Sequence, residues 1–141
     1  MLAVGTMAPQ LELKDLSNRQ TPVDNFKNKI LLVEFGSTGC SANPLANPML
    51  NRFNKKYAGK DLAIISIYTT ETNEQVKKYK TSNQLEFPIY IGSKKTKKDF
   101  KTIGTPNFYL IDKSGKIIKS IDGYSDDLET TLIKEIDKII L

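Results

Sequence analysis

The 141-residue chain has no histidine, no tryptophan and one cysteine, Cys40. Without histidine it can form no Ser–His or Cys–His pair and no imidazole metal site. With one cysteine it can form no internal disulfide, no cysteine zinc site and no self-contained dithiol centre, so any thiol chemistry uses one sulfur and borrows the second. Arginine is scarce too: Arg19 and Arg52 are the only two among 21 basic residues, which against 16 acidic ones give a net charge of +5. Lysine-dominated charge is common on soluble surfaces, whereas nucleic-acid readers favour the bidentate guanidinium, so no nucleic-acid partner is expected. No apolar run approaches the roughly 20 residues that span a bilayer, so no membrane span is expected. The start, Met1-Leu2-Ala3-Val4-Gly5, shows no basic segment leading into an apolar stretch. The chain therefore reads as lacking a signal peptide, and as cytoplasmic unless an export signal or anchor has been removed.

What is present describes a soluble globular chain, 39% hydrophobic and 26% charged. Its length and lack of repeats or linkers predict one domain over residues 1–141. Ala8 to Leu16 alternates apolar and polar residues, as in a short strand or strand-like arm. Ile30-Leu31-Leu32-Val33-Glu34-Phe35 is nearly continuous and apolar, the pattern of a central strand buried on both faces. A loop of small residues, Gly36 to Ser41, leads into helical spacing at Leu45, Met49, Leu50 and Phe53. Leu62 to Tyr68 is a second buried strand, Glu71 to Lys80 an amphipathic helix with Val76 and Tyr79 inward, Phe87 to Ile91 a short strand, and Lys95 to Ile103 a short helix. Asn107–Asp112 and Lys116–Ile121 flank a tight turn at Lys113-Ser114-Gly115 and form a β-hairpin. A final helix starts near Asp126, with Glu129 three residues on as a capping box. This order predicts an α/β fold: a central mixed sheet with parallel inner strands and a C-terminal β-hairpin, flanked by helices on both faces. The lysine run at 94, 95, 97, 98 and 101 is expected to be a solvated helical face.

Cys40 falls at the end of a buried strand and at the start of a helix, where unpaired N–H groups and the helix dipole stabilise a thiolate. A free cysteine is more often a small buried apolar residue, but the polar, small-residue setting of Cys40 does not look like core. Gly104-Thr105-Pro106 places a proline just before the hairpin, where a cis bond would bring backbone beside the thiol; an ordinary turn proline would also fit. Glu34 is a carboxylate in an otherwise apolar strand. If buried, it should have a raised pKa and could pass protons to or from the sulfur; if outward-facing, it would meet solvent or a lysine.

Val33 to Pro44, Pro48, and Gly104 to Asp112 together resemble the thioredoxin superfamily, most closely the TlpA/ResA-like thiol–disulfide oxidoreductases that overlap the alkyl hydroperoxide reductase/thiol-specific antioxidant (AhpC/TSA) grouping. Gly5-Thr6-Met7-Ala8-Pro9 and Lys113 to Ile117 also look like that branch. The resemblance implies a thioredoxin-like fold with Cys40 as the attacking cysteine, Pro106 as the cis-proline, Glu34 as the buried acid and Pro48 as the helix-kinking proline. It places Thr105, Gly39 and Ser41 against the substrate. It also implies protein or small-molecule thiols and disulfides as partners, no cofactor or metal, a monomer, and an extracytoplasmic or membrane-tethered location if an export signal was removed. The sequence departs from the family's Trp-Cys-x-x-Cys motif. Gly39 stands where the tryptophan is expected, Gly36 replaces another aromatic, and Asn43 occupies the position of the resolving cysteine. Asn43 is expected either to hydrogen-bond the Cys40 thiolate or to cap the helix.

Three functions fit these residues. The first is a monothiol oxidoreductase working through mixed disulfides at Cys40. The second is a redox-inactive module that binds a partner along the Cys40/Pro106 groove, favoured by the missing tryptophan and resolving cysteine. The third, a one-cysteine peroxidase, ranks lower because Val33 replaces the expected upstream proline and only Arg19 or Arg52 could supply a guanidinium.

Overall fold

The computed structural model describes residues 1–140. Five strands form one sheet in the order β3-β2-β1-β4-β5: β1 Ile30–Gly36, β2 Leu62–Tyr68, β3 Ile89–Ile91, β4 Asn107–Ile111 and β5 Ile117–Asp122. The first three are parallel, and β4 and β5 are antiparallel additions on the other side of β1. The helices are α1 Asn43–Lys56, α2 Asn73–Ser82, α3 Lys94–Asp99 and α4 Leu128–Ile139, with one turn of 3-10 helix at Val23–Phe26.

Every residue of β1 is buried, as its nearly continuous apolar run predicts. Side chains alternate across the sheet. Ile30 and Leu32 pack with Met49, Leu50 and Phe53 of α1 and with Leu132 and Ile136 of α4. Leu31, Val33 and Phe35 face the opposite core, with Leu11, Leu13, Phe26 and Phe100. One face is thus covered by long helices. The other is covered by the N-terminal arm, the 3-10 turn and the residue that ends α3.

Several expected boundaries shift for local reasons. The alternating arm is not a strand: it makes only single bridges, Met7 to Lys116 and Lys14 to Gln20 and Ile91. The third strand begins at Ile89 rather than Phe87, because Pro88 has no N–H to donate and contributes only its carbonyl, which accepts from Ser66 N–H at 3.0 Å. Helix α3 stops at Asp99, ahead of Lys101 in the left-handed region at φ 48°. The capping box expected at Asp126 and Glu129 does not form. Asp127 is the N-cap and makes no side-chain cap bond; its carboxylate accepts from Ser125 Oγ at 2.6 Å, while Glu129 pairs with Arg52. A capping box does start α2, between Thr72 and Gln75.

Candidate functional site

At the C-terminal end of β1 the chain leaves the sheet through Ser37 to Ala42 and turns into α1. Cys40 is partly exposed there, and its Sγ donates to the Thr105 carbonyl at 3.0 Å. The Thr105–Pro106 peptide is cis. Asn107, buried behind it, pins this loop from four directions. Its Oδ1 accepts from Ile103 N–H at 2.8 Å, and its Nδ2 donates to the Ile103 and Pro106 carbonyls and to Asp122.

No side chain caps α1; its N-cap is Ala42. The N–H groups of Ala42 and Asn43 reach the sulfur, and that of Asn43 also donates to the Cys40 carbonyl at 3.3 Å. A hydrogen bond from the Thr105 side chain, with these two N–H groups, lowers the Cys40 pKa below the ordinary thiol value, against partial desolvation and the charge of Glu34. The Thr105 carbonyl works the other way, because an acceptor stabilises only the protonated thiol.

Glu34 is fully buried. Its Oε1 accepts from Ser66 Oγ at 2.6 Å, and its Oε2 has no partner. Burial raises its pKa from 4.5 to about 7, against the Ser66 hydrogen bond that favours the charged form. Strand alternation puts it on the α1 face of the sheet, opposite Ser66 of β2 and Phe108 of β4.

The Asn43 side chain neither bonds the Cys40 sulfur nor caps α1; its backbone N–H serves the sulfur. It is completely buried and turned away from the solvent side of the loop. Its Oδ1 accepts from Ser37 N–H at 3.1 Å, and its Nδ2 reaches the hydroxyls of Tyr68 and Tyr79 at 3.4 and 3.3 Å. Asn47, one helical turn on, also donates to Tyr79 at 3.1 Å. Only the backbone N–H of Asn43 serves the sulfur. Gly36 belongs to the same cluster: a Cβ there would lie 2.9 Å from Asn43 Oδ1 and 3.1 Å from the Tyr68 ring. Gly39 and Ser41 lie on the exposed lip, and nothing lies within 4 Å of where a Gly39 Cβ would be. Pro48 sits inside α1 and withholds the N–H that would bond the Pro44 carbonyl.

Sequence reading missed the supports. Glu71, ahead of α2, accepts from Ser37 Oγ and Thr38 N–H at 3.4 Å each and from Thr70 Oγ1, tying the loop to the α2 side. Ser66, Asn107 and the two tyrosines carried no local motif that would have marked them. The two guanidinium groups are engaged elsewhere, Arg19 with Asp15 at 3.1 Å and Arg52 with Glu129. Among the described residues no cluster of three or more His, Cys, Asp or Glu is placed to hold a metal ion, and no helix is long and apolar enough to cross a membrane.

Residues 4–120 match the AhpC/TSA family. The chain is 31% identical to the thiol-disulfide oxidoreductase ResA of Bacillus thuringiensis subsp. konkukian, over 86% of this chain and 71% of that one. It is 30% identical to the thioredoxin-like protein YneN of Bacillus subtilis, over 80% and 68%. The solved thioredoxin domain of a thiol-disulfide oxidoreductase from Bacteroides vulgatus superposes with a TM-score of 0.84 at 27% identity, covering 95% of this chain and 98% of that domain. With a mixed five-stranded sheet, a thiol at the start of α1 and these relatives, the chain belongs to the AhpC/TSA family, as a TlpA/ResA-like thiol–disulfide oxidoreductase of the thioredoxin superfamily.

Proposed function

We propose that the protein exchanges thiols and disulfides through one nucleophilic sulfur, Cys40 Sγ, with an external thiol in place of the resolving cysteine. The observation that carries this reading is the setting of Cys40: a solvent-reachable sulfur at an uncapped helix start, beside Thr105, with its pKa lowered. In the first step the Cys40 thiolate attacks one sulfur of a disulfide. A Cys40–S–S–R bond forms, the substrate S–S bond breaks, and the other half leaves as a thiolate that takes a proton from solvent. In the second step an external thiolate attacks the mixed disulfide and releases Cys40 as thiolate, so electrons balance over the pair of exchanges.

Thr105, Gly39 and Ser41 form the surface against which the substrate sulfur lies in this reading. Glu34 acts through its charge: ionised, it raises the Cys40 pKa; protonated, it does not, and with a pKa of about 7 it crosses between these states near neutrality. Asn43 is a positioning residue that holds the loop from beneath.

The test is trapping. The protein is mixed with a small symmetrical disulfide, and its mass is followed before and after a monothiol is added. The expected result is one adduct, on Cys40, that persists until the monothiol is supplied and is absent in Cys40→Ser. No adduct under excess disulfide would refute the reading. Asn43 favours one alternative, a redox-inactive binding module, because it fills the resolving position with a locked amide. Such a module would bind its partner equally well after Cys40→Ser.

A further inference from the structure

We propose that the rim around Cys40 is a docking surface for an acidic polypeptide segment, the one that carries the disulfide to be exchanged. The proposal rests on the thiol-exchange reading and adds a substrate class to it.

Helix α3 is built into the end of the sheet from which the Cys40 loop springs. At its start, Gly92 N–H donates to the Tyr68 carbonyl at 2.9 Å, and Tyr68 is the register partner of Gly36. At its end, the Phe100 ring lies 5.1 Å from that of Phe35, next to Gly36 on β1. From there the chain runs directly to Thr105, whose carbonyl touches the sulfur. Lys101 lies four positions before Thr105, a reach of at most about 14 Å. The lysine run read from the sequence as a solvated face is therefore solvated and lies at the same end of the sheet as the thiol.

Its charge exceeds that of the acids around it: Glu12 acts on Lys95, the lysine already paired with Asp99. Lys94, Lys97, Lys98 and Lys101 are exposed. The one acid of the helix, Asp99, is held by Lys95 at 2.6 Å. Asp122, near the Pro106 loop, accepts from the neutral Asn107 amide and so keeps its charge, one acid set against the four exposed lysines. The acid nearest the Cys40 loop on its other side is Glu71, on the α2 flank, already engaged with Ser37, Thr38 and Thr70. The rim is thus positive toward α3, with Glu71 the carboxylate that meets the Cys40 loop on the opposite flank. It is also apolar beside the sulfur. Of the four large hydrophobic side chains exposed among the described residues, Leu45 (57%) lies in the first turn of α1 and Ile103 (55%) two residues before Thr105. An extended segment crossing Cys40 would set an apolar residue on this pair and its acidic residues over α3.

Charges at this range act on approach when the screening length is about 30 Å, at 0.01 M salt, and not when it is about 3 Å, at 1 M. The experiment uses two peptides, each with one cysteine as a mixed disulfide with thiopyridine. One has three glutamates beside the cysteine, the other three glutamines. Release of thiopyridone is timed with the full chain. The expected result at low salt is an acidic peptide reacting on the order of tenfold faster, with the ratio falling toward one at high salt. Lys97→Gln, Lys98→Gln and Lys101→Gln together should cut that ratio severalfold. Lys29→Gln, Lys60→Gln and Lys116→Gln, which remove the same charge at the opposite end of the sheet, should leave it. Equal rates for the two peptides, or equal loss in both triple variants, would overturn the docking surface. Neutral dipyridyl disulfide separates the two ideas. If it reacts at one rate in all variants while the peptides show no charge preference, the docking surface alone fails. If it does not react at all, the exchange reading fails and takes this proposal with it.

Discussion

The two halves of the Cys40 site are built on opposite principles. The floor, made of Glu34, Gly36, Asn43, Tyr68 and Tyr79, is tightly packed: the Asn43 amide serves three partners, and there is no room for a Cβ on Gly36. The lip, made of Gly39, Cys40, Ser41 and Leu45, is open, and a Cβ on Gly39 would meet nothing within 4 Å. Of the three departures from the family's pattern, Gly36 and Asn43 fall in the floor and Gly39 in the lip. Losing the resolving thiol placed an amide in the floor, where it became structural. Losing the tryptophan left a gap in the lip that nothing else fills. In the proposed exchange, reactivity is confined to the lip, and the floor holds its geometry and tunes its charge.

Substitutions across this divide should behave differently. The largest effect is on chemistry: Cys40→Ser should abolish mixed-disulfide formation while leaving the urea unfolding midpoint nearly unchanged. An adduct surviving in that variant would break the assignment.

Next is the pH dependence of stability set by Glu34. Its pKa in the folded state, about 7, lies above its ordinary 4.5. The folded state therefore binds the proton more tightly, and the stability this contributes is full below pH 4.5 and lost as pH rises through 7. The loss across that window is about 3 kcal/mol. Glu34→Gln should flatten it, as read from urea midpoints measured at several pH values; an unchanged slope would place the titration elsewhere.

Smaller costs should follow from opening the floor. Asn43→Ala leaves Ser37 N–H and the Tyr68 hydroxyl without this partner and Tyr79 with Asn47 alone, for a loss of about 2 kcal/mol. Gly36→Ala forces a methyl group against Asn43 and Tyr68, for about 1–3 kcal/mol. The smallest effect belongs to the lip: Gly39→Ala should change stability by less than about 0.5 kcal/mol. If the two glycine variants proved equally costly on denaturation, the division into floor and lip would not hold.

The sequence carried the sheet more clearly than the supports of the site. The runs at Ile30 and Leu62 are buried on both faces, and such runs announce themselves because nearly every position is apolar. The arm from Ala8 to Leu16 had the right alternation yet pairs only at single residues, because period-two hydrophobicity marks a half-buried extended segment whether or not a ladder forms. The Asp126–Glu129 spacing misled because a capping box needs free side chains, and Glu129 is drawn to Arg52, 77 residues away. Cys40, Pro106 and Glu34 were legible because each breaks its local pattern: a thiol among small polar residues, a proline at a strand start, an acid in an apolar strand. Asn43 was located but its role was misjudged, since its partners Tyr68 and Tyr79 lie on other elements. Glu71, Ser66 and Asn107 could not have been found locally, because ordinary polar residues gain their meaning only when the fold brings them behind the loop.

The central claim is that Cys40 is held as a reactive thiolate, and the direct measurement is its titration by thiolate absorbance in the folded protein, with Cys40→Ser as the blank. A midpoint below the usual thiol value of about 8.5 is the predicted result. A midpoint at or above that value would contradict the account.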